Sequence, residues 1–353
     1  MSTAEAVSET PSVIAGEILI SADSHIMEPP DLWEKRLPAS LKERAMKFPP
    51  RRSVGAKPGG YDPHARLQEM AVDGVTAEVL YPTLGLRLFA MEDAEAQEAC
   101  FRVANDWLIE YCSVAPGRLV GIPMISLYNI DNGIKEMERC KSAGLKGALI
   151  WQVPPPHLPF TSDYYDPFWA AAQDLDMPVN LHILTGFNYS RRLEQREGLE
   201  VYRASVNIKL ADAANSLFDI VFSGVLERFP RLKIVLVENE IAWIPFFMHE
   251  WDKYYLRHKP QHPISLGKLP SEFVNKQVFA TFFSDPTGGR LLDWWGTDTC
   301  MWSSDYPHAA STWPYSRQVI ARELGHLPKH VLRKVLRENV IKLYDLKVPG
   351  VNA

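Results

Sequence analysis

Ile18-Leu-Ile-Ser-Ala-Asp-Ser-His25 is the stretch on which the reading of this chain turns. An apolar run ends in an acid and an imidazole two residues apart, and Glu28 follows three residues later. Side chains at i and i+2 of a strand share a face, so Asp23 and His25 project together. A carboxylate and an imidazole converging at a strand end suit a divalent cation. The plain alternative is a capping Asp and a surface His, and short motifs need structural context to decide between the two.

Outward from this stretch, short β-like runs recur: Glu17–Asp23, Thr76–Tyr81, Leu119–Ser126, Ala148–Gln152, Pro178–Ile183, Lys233–Glu238, Val278–Phe283 and Thr299–Asp305. Helical patterns separate most of them. Ala96, Ala99, Cys100, Val103, Trp107 and Tyr111 lie on one stripe of Glu92–Val114, and Asn129–Ala143 closes at Gly144. Further helices are expected over Pro63–Val72, Pro167–Leu175, Tyr202–Phe229 (broken near Ala211–Asn215), Ala242–Arg257, Arg290–Trp295, Ser311–Leu324 and Lys329–Leu343. Eight strands alternating with helices specify an α/β chain, a (β/α)8 TIM barrel in a single domain with loop insertions. A doubly wound sheet is the alternative, but no GxGxxG turn follows the first strand. Residues 1–15 read as a flexible tail and 16–347 as the barrel domain. Pro260–Pro270 reads as loop, and Leu184–Glu200, with Arg191, Arg192 and Arg196, reads as a substrate loop.

Composition narrows the class. The 353 residues carry a net charge of −5, with 46% hydrophobic and 23% charged residues, values ordinary for a globular chain. The mild acidity gives no footprint for nucleic acid. Four scattered cysteines form no CxxC pair and read as reduced thiols. No apolar run approaches the roughly 18 residues of a membrane span, and residues 1–11 lack the features of a secretory signal. A cytoplasmic protein without membrane or nucleic-acid partners is expected.

In a barrel the C-terminal strand ends meet at one face. Strand one delivers Asp23 and His25, strand five His182, strand six Glu238 and strand eight Asp305. Each has a bland reading, such as a core histidine or a helix-capping acid, but together they point to one site for a divalent metal (Zn, Mn or Fe, as one or two ions). Glu238 is then a general base or a ligand to a second metal, and Glu28 is a weaker ligand candidate. His308 is expected to act beside Asp305, so Glu238, Asp305 and His308 form the expected catalytic group. Trp151, Phe283 and Trp302, near strand ends, are expected to wall a substrate pocket.

With these residues in place, the chain resembles the amidohydrolase-related (amidohydrolase 2) family, which includes the aminocarboxymuconate-semialdehyde decarboxylase-like enzymes. The resemblance rests on Asp23-Ser-His25-Ile-Met-Glu-Pro-Pro-Asp-Leu-Trp33, Gly74-Val-Thr-Ala-Glu-Val-Leu-Tyr-Pro82, Pro116-Gly-Arg-Leu-Val-Gly-Ile-Pro123 and Pro178-Val-Asn-Leu-His182. It continues in Arg228–Leu236, Ser304-Asp-Tyr-Pro-His308 and Glu338–Tyr344. The resemblance implies that the (β/α)8 TIM barrel is distorted, with a metal held at the positions of Asp23, His25, His182 and Asp305. Two residues depart from the family's usual pattern: Asp23 stands where a His is common, and Glu238 where decarboxylase-type members place a catalytic His. The expected activity is hydrolysis or non-oxidative decarboxylation of a small carboxylate-bearing substrate. The carboxylate-rich set leaves open a dinuclear non-haem iron or Mn/Fe oxygenase on the same scaffold. An inactive structural partner of an active paralogue is the third reading. A homo-oligomer is expected, or a hetero-oligomer with a related chain.

Overall fold

The computed structural model describes residues 14–49, 57–187, 197–264 and 266–351. Arg191, Arg192 and Arg196 of the expected substrate loop lie outside them. Eight strands run parallel: β1 (Leu19–His25), β2 (Val75–Tyr81), β3 (Leu119–Gly121), β4 (Ala148–Ile150), β5 (Val179–His182), β6 (Ile234–Val237), β7 (Val278–Phe282) and β8 (Cys300–Trp302). They pair as two arcs, β1-β2-β3 and β4-β5-β6-β7-β8. Two seams join the arcs. Ile125 N donates to Leu149 O at 2.8 Å beyond β3, and Asp305 N donates to Asp23 O at 3.0 Å beyond β8. The result is a distorted (β/α)8 barrel.

Nearly every strand residue is buried, as expected when a parallel sheet has the barrel interior on one face and helices on the other. The main helices span Pro63–Asp73, Ala94–Cys112, Ile130–Ser142, Asp166–Asp174, Lys209–Phe222, Ile244–His258 and Ser316–Leu324. Local chemistry sets their ends. Asp93 Oδ1 accepts from Ala96 N at 3.2 Å at one start, and Gly74 closes another helix at φ +72°.

Several boundaries differ from expectation for identifiable reasons. β1 runs on to His25, because its last residues pair with Leu80 and Tyr81 of β2. β3 stops at Gly121, just before Pro123, which has no N–H for a ladder. The helix expected at Arg290–Trp295 forms instead at Pro286–Gly289, where Asp285 Oδ1 accepts from Gly288 N at 2.7 Å. The helix expected from Ser311 begins at Ser316, past Pro314, which disfavours helical geometry in the residue before it. A helix at Pro270–Gln277 was not expected. The long 202–229 region runs through a π-helical stretch at Ala204–Ile208 and breaks at Gly224 (φ +77°), not near Ala211–Asn215. Ile14 and Val348, on either side of the 16–347 span, are buried in the core. No helix among the described residues is long and apolar enough to cross a membrane.

A polar layer crosses the barrel interior. Tyr81 Oη and Tyr344 Oη donate to Asn180 Oδ1 at 2.8 and 2.6 Å, and Asn180 Nδ2 donates to Pro178 O at 2.8 Å. The Tyr81 ring lies 5.4 Å from the His182 ring, so this layer is the floor on which the strand-end histidines rest.

Candidate metal centre

Asp23, His25, His182 and Glu238 offer ligand atoms within 4.8 Å of one another, and His25, Glu238, Asp305 and His308 form a second such group. Five of the six were expected at one rim and His308 beside Asp305, and the fold brings all six together. His25 Nε2 lies 3.2 Å from His182 Nε2, 3.5 Å from Asp305 Oδ1, 3.6 Å from Asp23 Oδ1 and 3.8 Å from Glu238 Oε2. His182 Nε2 lies 3.6 Å from Glu238 Oε2 and 3.9 Å from Asp23 Oδ1. Donors bound about 2.1 Å from one cation stand roughly 3.0–3.5 Å apart.

The protonation pattern suits a cation between them. His25 Nδ1 faces Pro82 O at 2.9 Å and His182 Nδ1 faces Ile183 O at 2.7 Å. A carbonyl only accepts, so both Nδ1 atoms carry the proton and both Nε2 atoms present a lone pair when the rings are neutral. Burial pushes the His182 imidazole down to about 3 and that of His25 well below its ordinary value, so both are neutral. Two lone pairs facing at 3.2 Å repel unless a cation lies among them. Asp23 adds to the demand. It is fully buried, and among the described residues only the Thr281 side chain stands near enough to favour its charged form, with neither carboxylate oxygen in a close, well-aligned hydrogen bond. Burial, then the Asp305, Glu238 and Glu240 carboxylates, raise its pKa well above the ordinary value. This donor set fits a divalent metal, with each histidine oriented by a backbone carbonyl on its other nitrogen.

Glu238 and Asp305 sit just past β6 and β8 with φ of +58° and +54°. A left-handed backbone costs a non-glycine residue on the order of 1 kcal/mol. At Glu238 it turns the carboxylate inward, where a strand continued from Val237, the register partner of His182, would point it away. Glu238 N is held by Thr281 Oγ1 at 2.9 Å. Burial and the nearby Asp305 charge push the Glu238 carboxyl up to about 8. His308 Nδ1 lies 2.9 Å from Asp305 Oδ1, and its ring stacks 4.0 Å from the His25 ring. Burial alone lowers the His308 pKa, but the Asp305 and Glu238 carboxylates outweigh it and the net shift is upward.

The remaining expected residues fall differently. Glu28 does not join the cluster. Its Oε2 accepts from Thr83 N at 3.1 Å and Leu84 N at 2.9 Å, and its Oε1 accepts from Gly85 N at 3.0 Å, so it fastens the turn after β2. Glu28→Ala strips partners from these amides, and a loss of about 2–4 kcal/mol in unfolding free energy is expected with metal content unchanged. Denaturant melts beside elemental analysis check this, and a parallel loss of metal would restore Glu28 as a ligand. Trp302 is corrected as a pocket wall. The register pairs Thr281 with Met301 and Phe282 with Trp302, and Thr281 faces the site, so Trp302 lies on the helix-facing side. Trp151 is buried against Tyr128 at 5.1 Å, and Phe283 is half-buried just past β7.

Two features escaped the sequence reading. Glu240 is largely buried near Glu238, with Oε2 unpartnered, and burial followed by the Asp285 charge raises its carboxyl to about 7. Arg66 and Glu78 form a buried ion pair behind β1. A lone charge inside the apolar run Val75-Thr-Ala-Glu78-Val-Leu-Tyr81 was the available signal for a buried partner.

A cavity of about 840 Å³ lies at the opposite end of the barrel, before β4–β8. Its lining includes Lys141, Lys276 and Lys342, each in the last turn of a helix ending there. Cations at that position offset helix C-terminal carbonyls, which accounts for the basic lining without a ligand. Barrel chemistry belongs to the other face.

Residues 23–346 match the family model described as amidohydrolase. A gamma-resorcylate decarboxylase of Polaromonas sp. is 24% identical over 229 residues, covering 62% of this chain and 69% of that protein. An amidohydrolase from Mycobacterium avium subsp. paratuberculosis superposes with a TM-score of 0.79 at 19% identity, over 93% of this chain and 99% of its own. A dihydroxybenzoic acid decarboxylase from Polaromonas sp. with bound manganese superposes with a TM-score of 0.67 at 19% identity, over 94% and 97%. At these identities the superpositions establish the shared fold.

Proposed function

The chain belongs to the amidohydrolase family, and from that membership we propose that it is a divalent-metal-dependent carboxy-lyase that releases CO2 from a small hydroxylated aromatic acid. The carrying observation is the pair of facing His25 and His182 Nε2 lone pairs beside the buried Asp23 carboxylate. The decarboxylases among its relatives supply the reaction class.

Asp23, His25, His182 and Asp305 hold the metal. A bound divalent cation supplies Lewis acidity, drawing electron density from a substrate oxygen. The overall change is ArCO2⁻ + H⁺ → ArH + CO2: the ring carbon gains a proton and the C–C bond to the carboxylate breaks. Glu238 is the residue placed to hold that proton. Its side chain is 14% exposed while those of Asp23, His25 and His182 are fully buried, so Oε2 borders both the cluster and the approach to it. His308, 28% exposed and paired with Asp305, is placed to meet the substrate's acidic groups. Trp151 and Phe283 supply apolar wall against a ring.

The test is metal analysis with a CO2-release assay. Protein purified without added metal should hold one manganese or zinc per chain and release CO2 from 2,6-dihydroxybenzoate, 5-carboxyvanillate or a near relative. Ester or amide cleavage without CO2 release would replace this reading with hydrolysis. The two overlapping ligand groups favour a second reading, a dinuclear oxygen-using enzyme. Two ions per chain including iron, with dioxygen consumed, would establish it.

A further inference from the structure

The metal ligands come from both arcs of the barrel, and β1 and β8 share no ladder. The placement of Asp305 against Asp23 and His25 therefore depends on a few bonds across one seam. Asp305 N donates to Asp23 O at 3.0 Å, and His25 N to Tyr306 O at 2.6 Å. Ser304 N donates to Ser21 Oγ at 2.8 Å, and Ser304 Oγ lies 3.1 Å from Ser24 Oγ.

Arg66 lies directly behind this seam, fully buried, on the helix before β2. Its Nε donates to Glu78 Oε2 at 2.5 Å. Its Nη1 donates to His25 O at 2.8 Å and to Gly59 O at 3.3 Å, and its Nη2 reaches Tyr306 O at 3.5 Å. Glu78 Oε1 in turn accepts from Ser24 Oγ at 3.3 Å, between the two ligands of β1. The guanidinium also stacks 4.4 Å from the Tyr306 ring centroid. One planar side chain thus grips the carbonyls of the β1 ligand His25 and of the residue following the β8 ligand Asp305.

A buried ion pair is a poor device for stability, because desolvation offsets its attraction, and apolar replacement of both partners is often neutral or better. A rigid fork with five donors is well suited to fixing two backbones in register. We propose that Arg66, braced by Glu78, is a positioning residue that sets the spacing between the β1 and β8 metal ligands. This rests on the metal-site reading above.

The test is a Mn²⁺ titration of the full-length protein by calorimetry, with the electron paramagnetic resonance line shape of bound Mn²⁺ and the melting temperature of the metal-free form. The Arg66→Met/Glu78→Leu double variant should melt within a few degrees of wild type when metal-free, bind Mn²⁺ at least 10-fold more weakly and broaden the resonance. Arg66→Lys keeps the charge and loses the fork. It should show an intermediate weakening of about 3- to 10-fold, and it decides the matter if the double variant does not fold. Wild-type affinity and line shape in whichever of these variants fold would overturn the clamp while leaving the metal site intact. Failure of the wild type to bind any divalent metal would overturn the site reading itself, and the clamp with it.

Discussion

Asp23→Asn is expected to produce two opposite shifts in stability. Metal-free, the variant should melt about 1–3 °C higher than wild type. The substitution removes a buried carboxyl that has no close, well-aligned hydrogen bond and faces the carboxylates of Asp305 and Glu238. With Mn²⁺ present the order should invert. A ligand at 1,000 times its dissociation constant adds about 4 kcal/mol to the stability of a protein that binds it, and the variant should forfeit that increment. Catalysis should fall about 10³-fold or more, because substrate polarisation is lost with the metal. Calorimetric melts of both proteins, with Mn²⁺ and with chelator, give all four numbers. A variant that melts lower than wild type in chelator would mean that Asp23 serves the fold. One that retains a full complement of metal would remove it from the ligand set.

Glu238→Gln should separate proton handling from metal binding. Gln is nearly isosteric and leaves the backbone at φ +58° undisturbed, but it cannot deliver a proton to a ring carbon. Loss of a positioned general acid or base typically costs 10²–10⁴-fold, so kcat should drop within about that range. Metal content should stay at the wild-type value, because Asp23, His25, His182 and Asp305 remain. The decisive comparison is the metal-to-protein ratio against kcat for the same preparation. Full metal with low kcat places the proton on Glu238. Metal lost in step with activity makes Glu238 a ligand, and it would turn attention to the second group of donors that shares His25 and Glu238.

The six residues that converge at the rim were legible because each closes, or closely follows, a short apolar run in a chain of alternating strands and helices. Strand-end position is a property of local pattern, and in a parallel barrel it translates directly into a shared face. Fold class and the candidate ligand set therefore followed from the order of residues alone. Glu28 and Trp302 show where local pattern stops. Glu28 is as acidic as Glu238 and closer in sequence to His25, yet its oxygens go to the amides of Thr83, Leu84 and Gly85, contributed by a turn more than fifty residues away. Trp302 belongs to the right strand but takes the face set by its pairing with Phe282. The left-handed backbones of Glu238 and Asp305 and the grip of Arg66 on two carbonyls are likewise invisible to periodicity. Each depends on which segments meet at a seam, and those meetings are long-range contacts. Sequence alone determined the barrel and the residue types at the rim of its C-terminal strand ends. Only the tertiary structure decided which acids face the cluster and which tie down a turn, because a carboxylate goes to whichever donors the fold places against it.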